Sequence, residues 1–319
     1  MDWEYPITSD LSDVEEKDIE GERVAVGFRP SGELHVGNLL TVTYAAVIAD
    51  ELDLDLDLMC CDTDWSAHIH ENHRPENSQV MKLFFERDCP CGGHGNVAEH
   101  RMDEIAPFLD ALEEELDIEI ERNYLSKYRD GEYLDALREI LGNMEEFDRI
   151  FGGGFRRRYR SPVVNVCSCG FSHAKGAAYS ERTDELVFAC RNGECGEGFA
   201  ASELSGDIGV YYLVDPVRDP SRDVAVHVFG GDYRDAEKEQ KTPKIAKVAR
   251  ITELATGETP DYFLTPMIAD EEGKPLSKSK GTGATVSDIR DLEEKAVDMA
   301  GSVRSMLEED RRYVSEEDL

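Results

Sequence analysis

The sequence lacks long hydrophobic runs and an apolar leader. No stretch of about 18 consecutive apolar residues occurs, so we expect no transmembrane helix. Residues 1–22 are acidic and contain no basic segment followed by an apolar one, so we expect no secretory signal. Together these absences predict a cytoplasmic protein without a membrane partner.

Basic residues, and lysine above all, are scarce. The 319 residues include 69 Asp and Glu against 35 Lys and Arg, which gives a formal net charge of −34, and only 12 of the 35 are Lys. Acid-rich, lysine-poor surfaces are typical of proteins that stay hydrated in concentrated salt, where charge repulsion is screened. A hydrophobic content of 40% argues against a disordered acidic chain. We therefore predict a folded, halophilic protein.

The order of the predicted elements indicates an α/β fold. We predict a strand at 23–28, a helix at 35–50 and a second strand that begins in the alternating segment 52–58. A helix joined by short loops to two strands forms a βαβ unit, so the sheet should be parallel. Strands predicted at 209–214 and 224–229 resume this pattern. The fold class that we expect is a Rossmann-like parallel sheet.

A glycine-bearing turn connects the first strand to the first helix. Pro30, Ser31 and Gly32 supply the turn, and Gly37 permits close approach to the first helical turn. A strand, a turn and a helix in this order present backbone N–H groups and a helix N-terminus to a phosphate. His35 can donate a hydrogen bond to a phosphoryl oxygen. The alternative is that His35 only caps the helix.

Polar groups also follow two later strands. Asp62 and Asp64 come directly after the second strand, where open α/β sheets bind ligands, and either carboxylate suits an ammonium group. An ordinary turn with a helix cap is equally compatible with them. The run 230–232, Gly-Gly-Asp, follows another strand and suits a ribose, although it is also an ordinary turn.

A loop near the C-terminus concentrates lysine. Lys274, Lys278 and Lys280 are three of the 12 lysines and lie within seven residues, next to Ser277 and Ser279. Such a cationic, glycine-flanked loop suits a triphosphate. In a chain so poor in lysine, the clustering argues against a merely solvent-exposed basic loop.

The cysteines form clusters that indicate metal binding rather than disulfides. Two close pairs separated by about twenty residues suit a structural zinc ribbon with four thiolate ligands. Its predicted ligands are Cys167, Cys169, Cys190 and Cys195. A second group also has metal-compatible residues, but its spacing is cramped, so we favour free thiols in a glycine-rich turn over zinc there. That group is Cys89, Cys91, His94 and His100.

Three of these motifs occur together in a known order. The runs 30–38, 230–232 and 276–281 resemble the paired nucleotide motifs of class I aminoacyl-tRNA synthetases. More narrowly, the chain resembles the archaeal-type class I lysyl-tRNA synthetases, which share the form Pro-Ser-Gly-x-x-His-Val-Gly-Asn of the first run. The Ala-Glu-His at 98–100 and the Gly-Glu-Tyr at 131–133 are similar as well.

This resemblance implies an ATP-dependent ligase that forms an aminoacyl-adenylate. His35 and Asn38 would contact the ATP phosphates, while Lys278 and Lys280 would neutralise pyrophosphate. The other implied ATP contacts are Pro30, Ser31, Gly32, Gly37, Gly230, Gly231, Asp232, Ser277 and Ser279. Asp62 or Asp64 would bind the ammonium of the amino acid, lysine. The family further implies Mg²⁺ with the nucleotide and the acceptor end of tRNA as partner.

The resemblance divides the chain into five predicted segments. They are an N-terminal arm at 1–20, the first half of the catalytic domain with a helical insertion at 21–160, a zinc-ribbon insertion at 161–205, the second half with the lysine loop at 206–285 and a helical tail at 286–319.

Two departures from the family leave alternatives open. Pro275 stands where the family has the leading Lys of its lysine motif, and the chain ends 38 residues after the lysine loop, where the family continues into an anticodon-binding domain. A truncated paralogue with a non-tRNA acceptor is one alternative. A nucleotidylyltransferase and a non-catalytic RNA-binding paralogue, which would use the basic cluster at 156–160, are the others.

Overall fold

The structure is a computed structural model of the 319-residue chain. It describes residues 7–15, 21–30, 33–62, 88–126, 134–151, 163–166, 172–173, 177–180, 185–189, 198–200, 208–210, 215–234, 243–270, 274, 284–307, 313–315 and 318. None of the helices in these ranges is long and apolar enough to cross a bilayer.

The described strands and helices alternate along most of the chain. The strands are β1 (Ile7–Thr8), β2 (Arg23–Phe28), β3 (Asp55–Cys60), β4 (Ile120–Tyr124), β5 (Val163–Val166), β6 (Ser172–His173), β7 (Ala177–Ser180), β8 (Glu185–Ala189), β9 (Gly198–Ala200), β10 (Ile208–Val210), β11 (Val224–Phe229), β12 (Asp261–Leu264), β13 (Met267–Ile268) and β14 (Tyr313–Val314). The helices are α1 (Ser12–Glu15), α2 (Val36–Leu52), α3 (Val97–Leu116), α4 (Leu134–Gly142), α5 (Met144–Ile150), α6 (Lys244–Thr256) and α7 (Leu292–Met306).

A six-stranded parallel sheet forms the centre of the protein. Its strand order is β1-β12-β11-β2-β3-β4, and every neighbouring pair is parallel. From β2 the chain continues to β3 and β4 on one side, whereas β11 and β12 return on the other. The boundary between β2 and β11 is therefore a topological switch point, where open α/β sheets bind ligands. The predicted Rossmann-like α/β fold is confirmed.

Three helices build the main core against one face of this sheet. The helix α2 is buried over most of its length, which explains its unbroken apolar and small-residue sequence. The helices α3 and α7 are amphipathic, and their apolar residues join α2 and alternate residues of β2 and β3 in one cluster. This packing fixes the N-terminus of α2 at the carboxyl edge of the sheet.

The region between α5 and β11 contains two small antiparallel sheets. One has the order β10-β5-β6 and the other the order β7-β8-β9. The described part of the strand predicted at 209–214 therefore pairs with β5 and does not resume the parallel sheet, so that expectation was wrong. The sequence of 177–189 indicates a hairpin, and the antiparallel pairing of β7 with β8 agrees with it. The four cysteines of the predicted zinc ribbon lie outside the described residues.

Several element boundaries differ from the predictions for local reasons. The sequence of 133–150 indicates one helix, but the structure interrupts it at Asn143, which separates α4 from α5. The sequence of 262–268 indicates one strand, but the structure interrupts it at 265–266, where Pro266 has no N–H for a sheet hydrogen bond. The N-terminal arm contributes β1, which pairs with β12 at the sheet edge. A strand of only two residues, such as β1, is too short to show an alternating pattern in the sequence.

A buried ionic network lies beneath the sheet face opposite α2. Asp57 of β3 accepts hydrogen bonds from Asn123 and from the Arg222 guanidinium, and the Asp57 and Arg222 side chains are only 1% and 7% exposed. Burial lowers the pKa of Arg222 to about 10, so the guanidinium remains charged at neutral pH. Each buried charge is thus compensated by the other.

Because of this compensation, Arg222→Leu should be strongly destabilising. The substitution leaves the Asp57 carboxylate buried with only Asn123 as a neutral partner, so we expect a loss of about 3–5 kcal/mol in the free energy of unfolding. Urea unfolding at fixed salt measures it. Arg304→Leu is the matched control, since the Arg304–Asp50 pair is 40% and 26% exposed and should contribute at most about 1 kcal/mol. Equal losses in the two variants would contradict the assignment.

Candidate functional site

The His35 turn lies at the carboxyl edge of β2, next to the switch point. His35 adopts an extended conformation and is the N-cap residue of α2. A Cβ atom on Gly37 would lie 2.9 Å from both Cε1 and Nδ1 of the His35 imidazole. The ring therefore packs directly over Gly37, and no larger residue fits there without displacing it. From the sequence we expected Gly37 to let a ligand approach the helix, but in the structure the space beside Gly37 is occupied by the His35 ring.

Asn38 holds the same turn from the other side. The Asn38 side-chain oxygen accepts a hydrogen bond from the His35 backbone N–H at 3.1 Å. The Asn38 backbone N–H donates a hydrogen bond to the His35 carbonyl at 2.8 Å. The bond to the Asn38 side chain is the half of a capping box in which the third helical residue caps the N-cap backbone. Because the side-chain oxygen is used in this way, the amide nitrogen is the group of Asn38 that remains for a phosphate.

The segment that follows the lysine loop is bound to the His35 turn. The Val36 N–H donates to the Ala284 carbonyl at 3.1 Å, and the Val286 N–H donates to the Leu34 carbonyl at 2.8 Å. The segment before the loop is near as well, because a Cβ on Gly37 would lie 4.0 Å from Ile268 Cδ1. The two ends of the lysine loop therefore flank the start of α2.

The Gly-Gly-Asp run lies beside this turn. A Cβ on Gly230 would lie 3.7 Å from the Thr41 hydroxyl of α2, so the two motifs are in contact range. A Cβ on Gly231 would lie only 2.5 Å from the Thr265 carbonyl oxygen. A side chain at position 231 would therefore clash with the backbone at Thr265, so only glycine fits there. The exposed Asp232 carboxylate pairs with the Lys244 ammonium at 2.9 Å.

Asp62 lies at the carboxyl end of β3 and is 1% exposed. Its carboxylate accepts hydrogen bonds from the Ser126 N–H at 2.8 Å and from the Ser126 hydroxyl at 2.5 Å. These bonds connect β3 to the end of β4. An ionised carboxylate has about four acceptor positions, and Ser126 occupies two of those of Asp62.

A cavity of about 210 Å³ opens at the switch point between β2 and β11. Its apolar lining includes Met59, Phe229 and Leu125, and it reaches Gly230 of the Gly-Gly-Asp run. Its charged lining consists of Arg29, Arg218, Asp219 and Arg222, together with His227. These charged residues belong to none of the motifs found in the sequence, although a histidine within the apolar strand 224–229 is a signal of a functional position.

Several predicted site residues lie outside the described ranges. They are Ser31, Gly32, Asp64, Ser277, Lys278, Ser279 and Lys280. Among the described residues, the structure brings His35, Gly37, Asn38 and Gly230 together at one edge of the sheet. Asp62 lies at the same edge, on the neighbouring strand β3.

The second cysteine and histidine group forms a compact cluster before α3. One ligand atom from each of Cys89, Cys91, His94 and His100 lies within 4.8 Å of all the others. The Cys89 and Cys91 sulfurs are 2.9 Å apart, and His94 Nδ1 is 3.0 Å from both Cys91 Sγ and His100 Nδ1. The cramped spacing in the sequence thus still allows four ligands to converge.

The polar contacts around this cluster suit a zinc ion. Hydrogen bonds with Cys89 and His94 lower the pKa of the Cys91 thiol to about 5, so this sulfur is a thiolate at neutral pH. The Asp103 carboxylate lies 3.1 Å from His94 Nε2, which leaves Nδ1 of the same ring as the metal ligand. Two sulfurs and two imidazole nitrogens form a common tetrahedral zinc set.

Comparison with known proteins identifies relatives along most of the chain. A family profile described as "tRNA synthetases class I (K)" matches residues 1–297. Lysine–tRNA ligase 1 of Methanosarcina acetivorans is 27% identical over 90% of this chain and 53% of its own length. The lysine–tRNA ligase of Methanocaldococcus jannaschii is 25% identical over 90% and 55%. This chain thus spans about half the length of the curated relatives that it matches.

Solved structures of other synthetases are also similar to this chain. Tyrosyl-tRNA synthetase from Archaeoglobus fulgidus, complexed with L-tyrosine, is similar to this chain with a TM-score of 0.45 and 17% sequence identity. The similar region covers 89% of this chain and 66% of the synthetase chain. Glutamate-tRNA synthetase from Elizabethkingia anophelis has a TM-score of 0.46 at 15% identity and covers 94% and 69%. Since the family profile matches 1–297 of the 319 residues, the chain belongs to the class I tRNA synthetases (K).

Proposed function

We propose that this protein activates an amino acid with ATP, that the amino acid is lysine, and that the activated acyl group passes to the acceptor end of tRNA. The observation that carries the proposal is the pairing of residues 34–36 with residues 284–286. This pairing ties the segment that follows the lysine loop to the His35 turn, so an ATP bound at the turn lies within reach of the loop. Membership of the synthetase family supports the same reaction.

The proposed step is an attack of the amino acid's carboxylate on the α-phosphorus of ATP. A bond forms between a carboxylate oxygen and this phosphorus, and the bond from the phosphorus to the bridging oxygen of the β-phosphate breaks. The products are aminoacyl-adenylate and pyrophosphate. Chemistry of this kind requires positioning and stabilisation of negative charge, and it needs no protein nucleophile. Mg²⁺ bound to the phosphates would neutralise part of that charge.

The start of α2 is the proposed binding site for the ATP phosphates. The helix N-terminus carries a partial positive charge that would attract the phosphates, although the N–H groups of Val36 and Asn38 already donate to the Ala284 and His35 carbonyls. His35 and the Asn38 amide nitrogen would donate hydrogen bonds to phosphate oxygens. Lys278 and Lys280 would neutralise the departing pyrophosphate, with Ser277 and Ser279 as hydroxyl donors.

The adenosine and the amino acid would occupy the two sides of the switch point. Gly230 and Asp232 would contact the ribose, while Gly231 maintains the backbone path next to Thr265. The cavity between β2 and β11 would receive the amino acid side chain. Asp62 and Asp64 are the proposed partners of its α-ammonium group, with Ser126 holding the Asp62 carboxylate in place.

We further propose two structural zinc ions. Cys89, Cys91, His94 and His100 would hold one ion at the N-terminus of α3, and the cysteines of the ribbon would hold the other. Protein ligands fill all four positions of each set, so neither ion would have an open position for catalysis.

The exchange of pyrophosphate into ATP tests the reaction itself. In concentrated salt, we expect lysine to support exchange at a rate well above that of the other amino acids, because adenylate formation is reversible. Lys278→Ala should lower the rate by about two to three orders of magnitude, the usual loss for one preorganised charge donor. Lys295→Ala, on α7, is the matched control and should exchange as the wild type does.

Two results of this assay would contradict the proposal. If no amino acid supports exchange, the chain is not an activating enzyme, and if Lys278→Ala exchanges normally, the lysine loop has another role. Addition of tRNA to the preformed adenylate, followed by measurement of AMP release, then tests the acceptor. Release that depends on a small molecule or a carrier protein instead of tRNA would identify a different acceptor.

Metal analysis tests the zinc assignment. We expect about two zinc ions per chain, and about one in Cys91→Ser, since removal of one thiolate from a four-ligand set weakens binding strongly. Cys190→Ser should likewise lose about one ion, and Cys61→Ser, outside both groups, should lose none. Unchanged zinc in Cys91→Ser would show that the cluster before α3 is a set of free thiols.

A further inference from the structure

The cavity at the switch point contains a buried carboxylate with an unused oxygen. Asp219 lines the cavity and is 1% exposed. Its Oδ2 accepts a hydrogen bond from His227 Nδ1 at 2.5 Å, whereas its Oδ1 is buried without a hydrogen bond. Asp219 precedes a 3₁₀ turn at Pro220–Arg222, but its side chain does not cap that turn. The carboxylate therefore has no local structural use that accounts for both oxygens.

The guanidinium of Arg222 lies near Asp219 but donates its hydrogen bond to another carboxylate. Arg222 Nη1 lies 3.7 Å from Asp219 Oδ1, beyond hydrogen-bond range, while the same guanidinium donates to the buried Asp57 carboxylate. His227 is held in place by stacking on Phe229, with ring centroids 4.1 Å apart and an angle of 9° between the planes. The Asp219 carboxylate is thus fixed by His227 at Oδ2, whereas Oδ1 has an ion-pair contact with Arg222 but no hydrogen bond.

A buried acceptor without a donor costs free energy unless something bound satisfies it. Since Asp219 lines the cavity, a bound molecule is the available source of that donor. A carboxylate pairs most strongly with a charged donor such as an ammonium, because such hydrogen bonds are shorter and stronger than neutral ones.

We propose that Asp219 determines which amino acid this protein accepts, with Oδ1 as the acceptor for a cationic group at the end of the substrate's side chain. His227 acts as a positioning residue that holds the other carboxylate oxygen. The inference rests on the proposed amino-acid activation, because it assigns the cavity to the side chain of that substrate. It adds a residue that the sequence motifs do not contain.

The arginines that line the same cavity favour a different class of substrate. Arg29 and Arg218 carry positive charge at the cavity, which would suit a carboxylate side chain such as that of glutamate. Removal of the Asp219 charge should change the binding of acidic and of cationic substrates in opposite directions. An acidic substrate would bind better after removal of the Asp219 charge, whereas a cationic substrate would bind worse.

Equilibrium binding of lysine, norleucine and glutamate to the full chain, without ATP, separates these classes. Norleucine resembles lysine but ends in a methyl group instead of the ammonium. We expect the wild type to bind lysine at least about 30-fold more tightly than norleucine, the scale of a buried charged hydrogen bond, and Asp219→Asn to lose most of this difference. Asp223→Asn is the matched control, since Asp223 is exposed, and it should bind as the wild type does.

The outcomes are distinct from those of the exchange assay. Wild-type protein that binds norleucine or glutamate as tightly as lysine overturns the proposal, and this comparison does not require the variant to fold. Equal lysine binding by folded Asp219→Asn overturns it as well, even if lysine supports exchange. If exchange fails with every amino acid while lysine binding still depends on Asp219, the proposed activation is wrong and the role of Asp219 stands.

Discussion

Two backbone hydrogen bonds connect parts of the chain that are about 250 residues apart, and the candidate site depends on them. They join residues 34–36, at the start of α2, to residues 284–286, just after the lysine loop. The helix α2 is held at the carboxyl edge of the sheet by a core that includes α3 and α7. Since Val286 belongs to this core and α7 begins soon afterwards at Leu292, the same core also holds residues 284–286 in place. The fold therefore positions two distant motifs with one packing arrangement.

Glycine has a different role at this site from the one that the sequence indicates. Gly37 and Gly231 suggest open backbone for a ligand, yet the space at Gly37 is taken by the His35 ring and the space at Gly231 by the Thr265 carbonyl. In both cases the glycine allows another part of the protein to come close. The contribution of these glycines to ATP binding would be indirect, through the position of the residues packed against them.

The parts of the fold that local patterns govern were predictable. The strands β2 and β11 have the predicted bounds because their apolar runs end at glycine or charged turns, and α2 agrees to within two residues. The strand β1 and the carboxylate of Asp219 were not predicted. A two-residue strand carries no period, and a carboxylate in the run Arg-Asp-Pro-Ser-Arg resembles any polar turn. Both depend on partners that only tertiary packing provides, β12 for the one and His227 for the other.

The central claim is that the His35 turn, seated on Gly37, binds the phosphates of ATP. Calorimetric titration of MgATP into the wild type, Gly37→Ala and the control Gly301→Ala tests it most directly. A Cβ at 37 must displace the His35 ring, whereas a Cβ at 301, on α7, meets no atom within 4 Å. We expect Gly37→Ala to weaken ATP binding by about tenfold or more, the scale of one hydrogen bond to a charged group, and Gly301→Ala to leave it unchanged. Equal affinity of folded Gly37→Ala and wild type would contradict the account.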